Sequence, residues 1–95
     1  MDAPFTKTRV RPAKDVLVRN IAGESVLLNL DNGCYFGLDD VGTRLWELLT
    51  ATESVRLAYE TALVEFEVAP EVLEQDLRGL IDNLVAQGLI EVSVE

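Results

Sequence analysis

The residue types of this chain restrict the chemistry that it can perform. Its 95 residues include a single cysteine, Cys34, and no histidine. Histidine is the commonest general base and a frequent metal ligand, so a Ser-His-Asp, Cys-His or Cys₂His₂ site cannot be built within this chain. The carboxylates are plentiful but are spread along the chain rather than clustered. We therefore expect a protein that is not an enzyme, with no cofactor and no bound metal.

A run of residues from 29 to 49 is the most informative part of the chain: NLDNGCYFGLDDVGTRLWELL. It predicts a turn, a strand of about five residues and a helix that starts two residues later. A core needs only one face of that strand, so the other face must serve something else. Alternation places its residues on two faces: Cys34, Phe36 and Leu38 on one, Tyr35 and Gly37 on the other.

The charge of the chain restricts its partners. The formal net charge is −9 at pH 7, which repels phosphate backbones and anionic membranes and favours cationic partners. No segment approaches the roughly 20 apolar residues of a membrane span, and nothing resembles a signal peptide. We expect a cytoplasmic protein that binds neither nucleic acid nor membranes.

The chain divides into a short arm and one domain. Residues 1–14 are polar, include Pro4 and Pro12, and carry four of the eight Lys and Arg residues, which predicts a flexible N-terminal arm. Residues 15–95 have a hydrophobic content and a periodicity that predict one folded domain.

The first half of this domain predicts three strands. Residues 15–21 and 24–30 are rich in Val, Leu and Ile and are bounded by turn residues. Asn32 and Gly33 are typical of a type I′ turn that leads into a third strand. The second strand is predicted to be half-buried, because its two faces differ: Val26, Leu28 and Leu30 on one, Ser25, Leu27 and Asn29 on the other.

The second half predicts three helices. Asp39 or Asp40 can cap the first, and Ser54 can cap a second helix over residues 54–66. Pro70 suits the first turn of a third helix, which Gly88 ends. The tail after Gly88 predicts a last strand or an extended segment that could lie on the sheet as a wing. The fold class is therefore α+β and winged-helix-like, a three-stranded antiparallel sheet followed by three helices.

Two features indicate a binding surface. In the simplest order the third strand is an edge, at which a peptide can pair by strand addition unless the third helix or the tail covers it. Gly79 lies inside the third helix, where glycine costs about 1 kcal/mol relative to alanine. It either admits a ligand backbone or packs tightly on the first helix. The candidate peptide-binding residues are Cys34, Tyr35, Phe36 and Gly37 on the strand, and Val72, Asp76, Gly79 and Asn83 on one helix face.

The run VLLNLDNGCYFGLDDVGTRLWELL resembles the PqqD-like family, named for the pyrroloquinoline quinone biosynthesis protein D. This family includes recognition elements for ribosomally made, post-translationally modified peptides. The resemblance extends over residues 15–92, and it is strongest to the free-standing members of lasso-peptide clusters. It implies that a leader peptide binds as an added strand beside the third strand, against the third helix. It also implies a non-catalytic chaperone role in antibiotic biosynthesis, which presents the precursor to a separate transglutaminase-like leader peptidase and a cyclase.

The alternative hypothesis is a small acidic winged-helix transcriptional regulator. Reading DNA requires cationic side chains that neutralise phosphate. The third helix instead carries four acidic residues against one arginine: Glu71, Glu74, Asp76 and Asp82 against Arg78. An enzyme subunit is the third hypothesis, and the missing histidine argues against it.

Overall fold

The computed structural model describes residues 7–94 of the chain. The strands of this part form two antiparallel sheets, one in the order β2-β3-β4 and one that pairs β1 with β5. The α+β architecture, with a three-stranded sheet followed by three helices, confirms the predicted fold class. The elements are β1 (Thr8–Pro12), β2 (Val16–Ile21), β3 (Glu24–Asn29), β4 (Tyr35–Leu38), α1 (Asp40–Thr52), α2 (Val55–Glu65), α3 (Pro70–Ala86) and β5 (Ile90–Val94).

Strand β1 corrects the expectation that residues 1–14 form a flexible arm. It pairs antiparallel with β5 along its whole length. Val10, at its centre, is only 2% exposed and belongs to the hydrophobic core. Beyond the strand, the Ala13 N–H donates to the Leu89 carbonyl at 3.0 Å. The N-terminal part of the domain is therefore ordered from β1 onward, and residues 1–6 of the predicted arm lie outside the described residues.

Strand β5 corrects the expected position of the wing. The tail does form a strand, which was one of the two conformations expected for it. This strand pairs with β1 and not with the three-stranded sheet. An ion pair between Arg11 and Glu91, with 3.1 Å between Nε and Oε1, joins directly opposed residues of the two strands. The two-stranded sheet thus brings both ends of the described chain together and leaves the edges of the other sheet uncovered by the tail.

The central strand β3 is half-buried, as predicted. Its inner face, which contacts α1, is the mixed face of Ser25, Leu27 and Asn29, all at most 5% exposed. The Ser25 and Thr43 hydroxyl groups form a buried hydrogen bond of 2.7 Å. Because this bond satisfies both hydroxyl groups, polar side chains can lie on the inner face without a large desolvation penalty.

The two hairpin turns of the three-stranded sheet have different geometries. Ala22 and Gly23, between β2 and β3, both have left-handed φ angles of 54° and 86°, the pattern of a type I′ turn. The type I′ prediction for Asn32 and Gly33 is wrong, because only Gly33 has a positive φ, 76°. Its N–H donates to the Asn29 carbonyl at 2.8 Å, so the β3–β4 loop is wider than a two-residue turn.

The helix starts follow the predicted caps. The Asp39 side chain accepts the Gly42 N–H at 2.7 Å, and the Ser54 hydroxyl accepts the Leu57 N–H at 3.2 Å. These bonds satisfy donors that the first turn of a helix leaves unpaired. No helix in residues 7–94 is both long and apolar enough to cross a membrane. The buried stripes of the three helices contribute most of the core: Leu45, Trp46, Leu48, Leu49, Val55, Ala58, Ala62, Leu73, Leu77 and Leu84.

An ion pair links α1 to α2 on the surface. Arg44 donates to Glu65 through Nη2 at 2.6 Å and through Nε at 2.9 Å. This hydrogen bonding holds the pKa of Glu65 below its usual value. The hydrogen bonds require the carboxylate form of Glu65. Any stabilisation that they give is therefore present above the usual pKa of glutamate, and it is lost as the pH falls through the lowered pKa of Glu65.

The burial of Val10 predicts the effect of shortening it. Val10→Ala is expected to lower the free energy of unfolding by about 1–3 kcal/mol, because it removes buried apolar groups and leaves a cavity. Val94 lies on the paired strand but is 70% exposed, so the control Val94→Ala is expected to change stability by less than about 0.5 kcal/mol. Urea denaturation of both variants measures the difference. Equal effects would contradict a core role for β1.

Candidate functional site

Strand β4 is an edge of the three-stranded sheet, as the sequence predicted. The Asn29 N–H donates to the Cys34 carbonyl at 2.8 Å, and this pair starts the ladder between β3 and β4. Antiparallel strands exchange hydrogen bonds at every second residue pair. The N–H and C=O groups of Tyr35 and Gly37 therefore face away from β3, toward the free edge.

The side chains of β4 divide between two faces as expected. Leu38 is 6% exposed and Phe36 packs against the core from the inner face. Tyr35 is 73% exposed and lies with Gly37 on the outer face, which points away from α1. One aromatic residue thus serves the core. The other lies on the sheet face opposite to the helices and does not turn toward α3.

The predicted face of α3 is uncovered. Val72, Asp76, Gly79 and Asn83 are all exposed. A Cβ atom built on Gly79 would meet no atom within 4 Å, so Gly79 does not pack tightly against α1. Helix α3 packs instead on α2 and β5. The structure therefore leaves both candidate surfaces accessible, and their cooperation as one groove stays a prediction.

Asn29 is a positioning residue that the sequence analysis did not identify. Its Nδ2 donates to the Gly88 carbonyl at 2.7 Å, and its Oδ1 accepts the Asp31 N–H at 2.8 Å. The side chain therefore joins the loop before β4 to the end of α3. An asparagine on the buried face of an alternating strand was the signal available in the sequence.

Cys34 is half-buried and is a free thiol. Its N–H donates to Asn32 Oδ1 at 2.8 Å, which helps to shape the loop before β4. A nucleophilic thiol requires a base or a positive environment, and the chain contains no histidine. The hydrogen bond to Asn32 gives Cys34 a role in the backbone geometry of this loop.

The surface of α3 is acidic. Its one arginine, Arg78, forms a hydrogen-bonded ion pair with Glu74 at 3.0 Å. Glu71, Asp76 and Asp82 are exposed on the same helix. Such a surface opposes the approach of nucleic acid and favours basic groups.

An exposed strand edge and an uncovered helix face define a small winged-helix-like binding domain. Its family follows from comparison with known proteins. The chain belongs to the PqqD family, since the family profile, Coenzyme PQQ synthesis protein D (PqqD), matches residues 24–90. Comparison with curated protein sequences yields no match.

Two solved structures are similar to this chain. TbiB1 in complex with the TbiA(beta) leader peptide is 34% identical over 85% of this chain and 94% of that chain, with a TM-score of 0.79. A lasso peptide synthetase B1 complexed with the leader peptide is 23% identical over 87% of this chain and 98% of that chain, with a TM-score of 0.77. The second similarity shows the fold alone, and the first also supports the family.

The open space at Gly79 predicts a stabilising substitution. Gly79→Leu is expected to raise the free energy of unfolding by a few tenths to about 1 kcal/mol, because leucine has the higher helix propensity. Gly88 is the matched control at the end of the same helix. It has a φ of +70°, and a Cβ there would lie 3.1 Å from Asn29 Nδ2. Gly88→Ala is therefore expected to destabilise by more than about 1 kcal/mol.

Thermal unfolding of the two variants measures these opposite signs. A lower melting temperature for Gly79→Leu would contradict the open position of Gly79 and would indicate a close contact on that face of α3.

Proposed function

We propose that this protein recognises the leader peptide of a ribosomally synthesised precursor of the lasso type and binds it as an added β-strand on β4. The observation that carries this proposal is the free backbone edge at Tyr35 and Gly37. It occurs in a chain that is 34% identical to TbiB1, a protein solved with a leader peptide.

The edge provides affinity through the main chain. Tyr35 and Gly37 each offer one N–H donor and one C=O acceptor, and each hydrogen bond to a peptide contributes a net of about 0.5–1.5 kcal/mol. Main-chain pairing is largely independent of sequence, so side-chain contacts beside the edge must supply specificity.

Helix α3 is the proposed source of part of that specificity. Val72 offers an apolar contact, and Gly79 allows the peptide to approach the helix backbone. Asp76 lies on the same face and favours basic residues near the apolar anchors of the leader. Exposed ion pairs contribute only about 0.2–1 kcal/mol each, so the charge preference is modest.

The proposed role is non-catalytic and cytoplasmic, because the precursor is made by ribosomes and is bound before it is processed. The protein holds the leader and presents the precursor to a separate transglutaminase-like leader peptidase and a cyclase. The absence of histidine from the chain and the half-buried position of Cys34 support the assignment of the chemistry to those partners. The alternative of a transcriptional regulator gains no support from the acidic surface of α3 or from the comparisons.

Removing one backbone N–H group from the free edge of β4 tests whether the leader peptide binds as an added strand. Gly37→Pro deletes an N–H group that faces away from β3, a position at which an edge strand tolerates proline. It is expected to weaken the binding of a synthetic leader peptide, taken from the precursor encoded beside this protein, by about tenfold or more. The readout is the dissociation constant from isothermal titration calorimetry.

The matched control is Asn20→Pro at the same relative position of the other edge strand, β2. The Leu30 N–H donates to the Asp15 carbonyl at 2.9 Å, and by alternation the N–H of Asn20 faces away from β3. The affinity of the Asn20→Pro variant for the leader is expected to match that of the native protein. Equal losses in both variants would argue for a general effect on the sheet and against pairing at β4.

Gly79→Leu tests whether the peptide lies against this face of α3. A leucine side chain on the exposed face of α3 is expected to weaken leader binding by about tenfold or more while the domain stays folded. Val85 is 47% exposed on the other flank of α3, so Val85→Leu serves as the control and should bind normally. Unchanged titration curves for Gly79→Leu would place the groove on a different face of the helix.

A further inference from the structure

The outer face of the three-stranded sheet carries several exposed apolar side chains beside the charged residues Arg19 and Glu24. Leu17 is 43% exposed, Val26 38%, Ile21 67% and Tyr35 73%. By the pairing register these residues lie on one face, opposite to the face that contacts α1. An exposed apolar patch of this kind in a protein with a net charge of −9 marks a binding surface.

This face contains a depression beside the free edge. It has a volume of about 380 Å³ and is lined by Ile21 on β2, by Glu24, Ser25 and Val26 on β3, by Gly37 and Leu38 on β4, and by Asp39 before α1. Gly37 is directly opposite Val26 in the ladder, and a Cβ at Gly37 would meet no atom within 4 Å. The missing side chain of Gly37 therefore leaves the depression open toward the edge at which a further strand would be added.

The geometry of a β-sheet determines what enters from that edge. Residues directly opposite each other on neighbouring strands have their side chains on the same face. A peptide residue opposite Gly37 would thus point to the outer face, in either strand direction. Because glycine offers no side chain to pack against, a large neighbour that covers it gains the most contact, as in aromatic rescue of edge glycines.

We infer that the depression above Gly37 is a specificity subsite for one large apolar side chain, supplied by the peptide residue that pairs with Gly37. This inference rests on the proposed function and extends it to the opposite face of the sheet from α3. The peptide strand then contacts the protein on both sides, with one set of alternate side chains toward α3 and the other toward Val26 and Ile21.

A complementary pair of substitutions tests the subsite. Gly37→Leu fills the depression from the protein but keeps the edge N–H and C=O groups. It is expected to weaken binding of the synthetic leader of the neighbouring precursor by about tenfold or more. An alanine scan of the apolar leader residues should find one position at which alanine weakens binding to the native protein to a similar degree. That alanine leader should bind Gly37→Leu more tightly than the unsubstituted leader does.

Two further variants separate this effect from loss of structure. Ile21→Ser changes a lining residue of the depression that lies on β2, away from the free edge of β4. It should weaken the binding of only those leaders that carry the large side chain, by about three- to tenfold. Leu17→Ala on the same face, but outside the depression, should change nothing. Thermal unfolding confirms that each variant is folded.

The outcomes distinguish the two proposals. Rescue of Gly37→Leu by one alanine leader supports the subsite. If the native protein binds the leader but Gly37→Leu binds it equally well, or no alanine leader restores binding, the subsite is overturned and strand addition stands. If the native protein binds no leader at all, the proposed function fails and the subsite fails with it.

Discussion

The side chain of Asn29 is the constraint on which the free edge of β4 depends. It is only 5% exposed, and its amide bonds both to the loop before β4 and to the carbonyl of Gly88. Leu89, which follows Gly88, is fully buried and accepts a hydrogen bond from the segment after β1. A single buried amide therefore holds together the hairpin, the end of α3 and the start of β5. Its loss would leave buried polar groups unpaired, which costs about 1–3 kcal/mol for each group.

Sequence periodicity predicted the parts of the fold that depend on local rules. The alternation in residues 24–30 and 34–38 gave the correct faces of β3 and β4, because side chains in a strand alternate strictly. The helix starts at Asp39 and Ser54 followed from the need to satisfy the first free N–H groups of a helix. The edge position of β4 followed from the simplest strand order. The strand edge at β4 and the exposed face of α3 are both present as predicted, and their use as a binding site stays a prediction.

The features that the sequence did not reveal depend on contacts between distant residues. Val10 is one valine among lysines and arginines, and its burial follows only from the pairing of β1 with β5. The wide loop before β4 depends on the Asn29 side chain, which competes with the type I′ geometry that Asn32 and Gly33 favour locally. The apolar outer face also escaped prediction. Only the three-dimensional register shows that Ile21, Val26 and Gly37 lie together and that no other described element covers them.

The register of β4 connects the Asn29 side chain to the proposed binding of a peptide. A slip of one residue between β3 and β4 would turn Phe36 outward and would direct the backbone groups of Tyr35 and Gly37 toward β3. The free edge would then present different donors, and the gap at Gly37 would lie on the core side, where it would be a packing defect. Phe36 in the core opposes this slip from one side, and the loop anchored by Asn29 opposes it from the other. The interactions that stabilise the fold are thus the same ones that select which backbone groups a peptide can reach.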